Sequence, residues 1–295
     1  MLLRLPSLSL ALLFCAASPA PGTAAPASEA REAAAPGLAD AWRKVALNLF
    51  TDAHRDFLAL PGEEARLGAA LTRLQLQPKT AANVDAAAAA LRELAAAGDP
   101  VLAPVALHTL ARIEHVHRLR PDLSAAVARY EELRRLYPDH PLADEAVVRL
   151  AIIAFQDPSP PERAAAELAR FAALASDLRS ADARRDLHLL LADTALRLRH
   201  DEAFALEHYL AAEAAGIHLA AIRTTVLVSI GELAARLGRP EVARRHLEDY
   251  LVFAPRDNRR TLVLERLASL PGAGGEIAPV AAPALAAART ESATP

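Results

Sequence analysis

The stretch HTLARIEHVH, residues 108–117, holds three of the ten histidines in this 295-residue chain. Histidine is the commonest metal ligand and the usual proton carrier near neutral pH. On a helix His108 and His115 share one face, but Arg112 lies between them, and its positive charge would repel a divalent metal. His117 is expected to point elsewhere. The helical spacing of zinc hydrolases, two histidines four apart with an acidic partner, does not occur in this stretch. The neighbouring carboxylates Glu131 and Glu132, or Glu248 and Asp249, project in different directions from a helix and make no acid–base pair. There is no glycine-rich phosphate loop and no G-x-S-x-G elbow. The one cysteine, Cys15, leaves neither a disulfide framework nor a multi-cysteine metal site. The expectation is a non-catalytic chain with no cofactor and no bound metal.

Composition indicates which elements must carry these side chains. Hydrophobic residues make up 53%, enough for a substantial core, and the excess is alanine and leucine while aromatics are only 4%. Alanine and leucine favour helix, so an all-α body is expected. The net charge is −3, with arginine and acidic residues interspersed and no basic stripe, so no nucleic-acid partner is expected.

The first residues, MLLRLPSLSLALLFCAASPAPG, place Arg4 before an apolar run from about Leu8 to Ala17, followed by small residues and prolines. That is the layout of a secretory signal peptide, and the run is short for a membrane span of about 20 residues. Cleavage after Ala27 fits Ala25 at −3, which makes residues 1–27 the signal peptide and leaves no transmembrane span in the mature chain. Bulky Phe14 stands where a lipoprotein signal wants a small residue, arguing against a lipid anchor at Cys15. Residues 28–37 read as an Ala/Pro-rich linker and residues 271–295 as a disordered Ala/Pro/Gly-rich tail. The chain is therefore expected to be exported.

Between these ends, helix punctuation recurs. Asp99 before Pro100, Ser159 before Pro160 and Glu162, and Ser180 are N-cap signals, while Gly238 followed by Pro240 ends one helix and starts another. These marks predict helices over 38–59, 62–75, 81–97, 100–119, 123–137, 142–156, 160–176, 180–199, 201–215, 219–237, 239–253 and 257–269. Short connections make successive helices antiparallel hairpins. Pro138 closes one hairpin and Pro141 fits the first turn of the next.

A repeat runs through the second helices. Ala126, Ala205 and Ala243 are each followed four residues later by Tyr130, Tyr209 and Leu247, and Phe171 falls between, giving a period of 38 to 41 residues. A small residue lets the two helices of a hairpin approach, and the large residue one turn on fills the groove towards the neighbouring hairpin.

In VLVSIGELAARLGRPEVARRHLEDYLVFAPRD, residues Leu227, Ile230, Gly231, Ala234, Gly238, Ala243, Leu247, Tyr250 and Pro255 occupy, without a gap, the signature positions of the tetratricopeptide repeat (TPR), which this chain resembles. LLLADTALRLRHDEAFALEHYLAAEA is similar through Leu189, Ala192, Leu196, Ala205, Tyr209 and Ala212, with His200 at the place of the turn glycine. The resemblance spans 81–270, including a C-terminal capping helix, and residues 38–80, with Trp42, Val45, Leu49 and Phe57, read as a degenerate N-terminal hairpin or cap. It implies helix hairpins stacked into a right-handed α-solenoid whose first helices line a concave surface. Thr194, Arg197, Thr225, Val228, Glu232 and Arg236 would then be the partner-binding positions. The Tyr-Pro helix ending also resembles TPR proteins of outer-membrane assembly and of the Tol-Pal system. The implied function is a scaffold or adaptor for a protein or peptide in the periplasm or at the outer membrane. The alternatives are an accessory or enzyme with a site in the solenoid cavity, for example in carbohydrate processing, and a purely structural spacer.

Overall fold

A computed structural model describes residues 36–156 and 161–271. The expected signal peptide, Cys15, the linker as far as residue 35, the Ser159 cap and the tail from 272 lie outside them. All regular structure among the described residues is helical. The chain divides into two compact units. The first contains α1 (Pro36–Ala46), α2 (Phe50–Ala59), α3 (Glu63–Arg73), α4 (Ala81–Ala97), α5 (Leu102–Arg112), a π-helical turn (Ile113–His117), α6 (Leu123–Leu136) and α7 (Pro141–Gln156). The second contains α8 (Pro161–Ala175), α9 (Ala181–Arg197, whose first three residues belong with the first unit), α10 (Glu202–Ala215), α11 (Ala220–Arg236), α12 (Pro240–Phe253) and α13 (Arg260–Ser269).

Within the first unit each helix packs on the next, and α3 also touches α5, and α5 touches α7. Within the second, α10 packs on α11, α11 on α12 and α12 on α13. This is a series of antiparallel helix hairpins, as the short connections require. The signals that set the connections are local. The Asp99 carboxylate accepts from the backbone N–H of Val101 and Leu102 at 2.8 and 2.9 Å, and Ser180 Oγ accepts from Ala183 at 3.3 Å. Gly238, with φ +69°, closes α11, and Pro240 opens α12 at a position whose N–H would be unpaired anyway. Pro141 likewise opens α7.

The predicted single helix over 38–59 is broken. Asn48 adopts φ +59°, its N–H donates to Val45 O, and Leu49 N–H donates to Lys44 O. That pair of bonds is a Schellman ending, in which asparagine supplies the left-handed residue more readily than most side chains do. The N-terminal segment is therefore three helices rather than a hairpin. Its core is Ala41, Val45, Ala53, Phe57, Ala65 and Ala69, with Trp42 edge-on to Phe57 at 4.9 Å, while Leu49 is exposed.

The repeat positions form the core of the hairpins. Ala126, Ala205 and Ala243 are fully buried, and Tyr130, Tyr209, Leu247 and Phe171 are buried beside them. The large residues reach the first helix of their own hairpin as well as the neighbouring hairpin, where Tyr130 meets Arg149 and Glu145 of α7. Leu247 lies against Gly231, Tyr209 donates to Asp193, and the Tyr130 ring lies 5.8 Å from His108. The Tyr209 hydroxyl also interacts with Ser229 of the next hairpin.

The second repeat is shifted from its gapless alignment. In α9 the buried positions are Leu187, Leu191, Ala192, Thr194 and Ala195, while Leu189 and Leu196 are only half-buried. Arg199, with φ +51°, takes the left-handed turn position that Gly238 holds in the later hairpin. His200 is then one extra residue before the Asp201 N-cap, so α9 runs one residue out of the expected register.

Candidate functional site

The six positions implied by the resemblance do not share one environment. Thr194 is 2% exposed and Val228 8% exposed, so both side chains lie within the packing. Arg197 and Thr225 are exposed, and Thr225 Oγ1 donates to Ala221 O at 3.0 Å on its own helix. Glu232 is half-buried, and exposed Arg236 donates through Nε to both carboxylate oxygens of Glu202 at 3.1 Å. The one-residue shift of α9 explains Thr194: the register that placed it on the surface is off by one, and a helix turns about 100° per residue.

A denser constellation stands in the first unit, where α5, α6 and α7 meet. His108 is buried, with Nε2 at 3.5 Å from Glu145 Oε1, an ion-pair separation rather than a hydrogen bond. Arg149 Nη2 and Nε donate to the same Glu145 oxygen at 2.9 and 3.3 Å. His115 Nε2 lies 3.1 Å from Gln156 Nε2. The Tyr130 hydroxyl and His108 Nε2 are buried without a hydrogen-bond partner among the described residues. Half-buried Arg112, between the two histidines, makes no hydrogen bond or ion pair among the described residues.

The electrostatics follow from this crowding. Burial works against the charge of Glu145, but His108 and Arg149 together hold its carboxyl well below the usual carboxylate range. Arg112 is pushed down from the ordinary guanidinium value by burial and by Arg149, with Glu145 and Tyr130 opposing. Burial, then Arg149 and Arg112, lowers His115, and burial, then Arg112 and Lys79, lowers His117 to about 4. Burial and the nearby His108 also lower His140. Burial pushes the Tyr130 phenol up, so its proton stays available as a donor.

His117 stands at the end of the π turn, where Arg118 N–H bonds back five residues to Ile113 O at 3.2 Å. The turn is fastened by Arg118, which pairs with Glu114 and with Asp85 of α4 at 3.0 Å.

Two further groups lie in the second unit. His188 and His208 face each other, Nδ1 to Nδ1, at 2.7 Å, so one proton must be shared between them or carried by one. Burial first, then His188, lowers His208 to about 4. His246 donates Nδ1–H to Val242 O at 2.7 Å and faces Glu213 through Nε2 at 2.9 Å, an arrangement that needs both ring nitrogens protonated. Its pKa is raised: burial opposes the charge, but Glu213 and Val242 O outweigh it.

No three or more His, Cys, Asp or Glu side chains are grouped to hold a metal among the described residues. The α5–α7 cluster has two guanidiniums and a buried imidazole around one carboxylate, Glu145. The histidine stretch was visible in the sequence. Its partners Tyr130, Glu145, Arg149 and Gln156 were not, because they come from the two following helices and only packing brings them together.

No protein-family model and no curated protein matches the chain. Among solved structures it is similar to the crystal structure of the APC/C hetero-tetramer Cut9-Hcn1, with a TM-score of 0.44 and 16% sequence identity over 78% of this chain. The match takes in 42% of that chain, so this protein spans less than half of its length.

Proposed function

We propose that the protein is a non-catalytic helical-repeat adaptor that holds a protein or peptide partner in the cell envelope. It is exported through its N-terminal apolar segment and acts in the periplasm or at the outer membrane. The observation that carries this reading is the α11–α12 hairpin, in which the TPR-like signature residues Leu227, Ile230, Gly231, Ala234, Ala243, Leu247 and Tyr250 are buried, while Gly238 and Pro255 stand exposed at the turns. Gly231, Ala243 and Leu247 close the two helices on each other, which leaves the exposed side chains of consecutive hairpins for a partner. Exposed Arg197, Thr225 and Arg236, with half-buried Glu232, are the contacts this reading assigns in the second unit.

The test is cross-linking and pull-down with the tagged mature chain in its native envelope fraction. Reversing the charges of Glu232 and Arg236 is expected to weaken capture of a specific partner at least several-fold while the helical circular dichroism stays unchanged. Breaking the exposed Arg236–Glu202 pair costs only about 0–1 kcal/mol, so lost folding would not account for lost capture. Capture by the charge-reversed chain equal to wild type would remove these positions from the proposal.

A further inference from the structure

At one end of the second unit, where α11 and α13 begin and α12 finishes, large apolar side chains stand in water. Val252 is 67% exposed and Leu219 47%, and Phe253 and Leu262 are exposed as well. The Arg223 guanidinium lies over the Phe253 ring at 4.5 Å, which sets the first turn of α11 against the last turn of α12, and Leu219 precedes Arg223 by one turn. The Arg259 guanidinium lies 5.6 Å from the Tyr250 ring, so α13 begins at the same end. Arg223, exposed Arg256 and half-buried Arg260 accompany these apolar groups. The carboxylates at this end are already engaged, Asp257 by Arg259 at 3.1 Å and Glu213 by His246 at 2.9 Å. The next acidic residues along α12, Glu248 and Asp249, stand one turn further from the end, with Asp249 4.0 Å from Arg245. The described chain finishes near the start of α12, where Arg244 donates to Pro271 O at 3.0 Å, so the residues after Pro271 do not set out from this patch.

We propose that this end of the second unit docks on the surface of an anionic lipid bilayer, with the apolar side chains entering the headgroup boundary and the arginines meeting the lipid phosphates. Apolar side chains exposed together mark a contact surface. These project from helix ends and sit beside the exposed turn at Pro255, an outward edge rather than a groove that would enclose a peptide. A bilayer interface accepts such an edge without a shaped pocket, burying apolar groups about 5–10 Å deep while guanidinium heads stay at the phosphate level. The positive charge of Arg223, Arg256 and Arg260 selects anionic over zwitterionic headgroups, each arginine strengthening the attraction about fivefold. The contact is peripheral, because among the described residues no helix is long and apolar enough to cross a membrane. The inference goes beyond the adaptor reading, requires no protein partner and uses none of the contacts assigned to one.

The test is flotation of the full mature chain with vesicles of phosphatidylcholine, alone or mixed with phosphatidylglycerol, at low and at raised salt. Binding is expected on the mixed vesicles, weakened by salt, and about tenfold or more weaker on phosphatidylcholine alone. The double variant Val252→Ser, Phe253→Ser and the double variant Arg256→Gln, Arg260→Gln are each expected to weaken it about tenfold or more. Leu47→Ser, at an exposed leucine of the first unit, should leave it unchanged. Circular dichroism checks that each variant is folded, and the lipid and salt dependence of the wild-type chain decides the matter even if a variant is not. No binding to the mixed vesicles, equal binding to phosphatidylcholine, full binding by either folded double variant, or an equal loss in Leu47→Ser would each overturn the surface. A dimeric mature chain that the serine variant turns into a monomer would also overturn it, giving the patch to a second copy. Vesicle binding by a chain that captures no partner would uphold the surface and count against the adaptor reading alone.

Discussion

The hairpins α5–α6 and α11–α12 carry the same spacing in their second helices, Ala126 and Tyr130 in one, Ala243 and Leu247 in the other, yet the facing helices differ. In α11 the residue under Leu247 is Gly231, and the contact is apolar and close: a Cβ at Gly231 would lie 2.5 Å from Leu247 Cγ. In α5 the residue beside Tyr130 is His108, followed by Arg112 and a π turn that carries His115 and His117. The first solution is apolar where the two helices touch, although the Tyr250 hydroxyl of α12 is also buried without a hydrogen-bond partner among the described residues. The second leaves the Tyr130 hydroxyl buried without a hydrogen-bond partner, sets His108 Nε2 3.5 Å from Glu145, and gives Arg112 no hydrogen bond or ion pair among the described residues. Local rules broken without compensation in the same place are where function is expected.

The largest way to break this comparison is at Tyr130. Tyr130→Ala is expected to cost about 3 kcal/mol or more, because a fully buried ring leaves a cavity behind, whereas Tyr130→Phe should be neutral or stabilising because the lost hydroxyl has no partner. Urea melts of the two variants decide it. A large loss in Tyr130→Phe would show that the hydroxyl is paired after all.

Next comes the apolar hairpin. Gly231→Ala should cost about 1–3 kcal/mol through overlap with Leu247, and the double variant Gly231→Ala, Leu247→Ala should cost less than the sum of the singles. A strictly additive thermodynamic cycle would disprove the contact.

The smallest expected effect separates the two regions by pH. His115, His117 and His140 have folded pKa values below the unfolded one, so their contribution is present at neutral pH and is lost as pH falls below about 6.5. His246 is raised, so its contribution is full below the unfolded pKa and is lost as pH rises through the folded value. Hydrogen-exchange protection factors of α5–α7 should therefore fall between about pH 7 and about pH 5, while those of α12 hold or rise and lose that response in His246→Gln. Parallel acid responses in both regions would contradict the two environments.

Much of the helical grammar was legible because it is local. Asp99 and Ser180 cap with their own side chains, Gly238 takes a positive φ, and Pro141 and Pro240 start helices at positions that need no N–H donor. The break at Asn48 also had a local sign, an asparagine able to adopt the left-handed conformation, but nothing in the flanking residues distinguished it from one that stays helical. The register of α9 was not legible. An alignment without gaps put the turn at His200, and the chain instead turned at Arg199, because burying Leu191 and Ala195 outweighed the cost of a positive φ on a side-chain-bearing residue.

The candidate site divides along the same line. The sequence by itself determined that the chain is helical, where most helices start and stop, and that His108, Arg112 and His115 follow one another along one helix. Each of these depends on residues within a few positions of each other. Only the tertiary structure decided that Thr194 and Val228 are covered, that Glu145 is shared by Arg149 and His108, and that Arg112 makes no hydrogen bond or ion pair among the described residues. Those outcomes depend on which side chains from helices 20 to 40 positions away fill the space first, and helical periodicity does not carry that information.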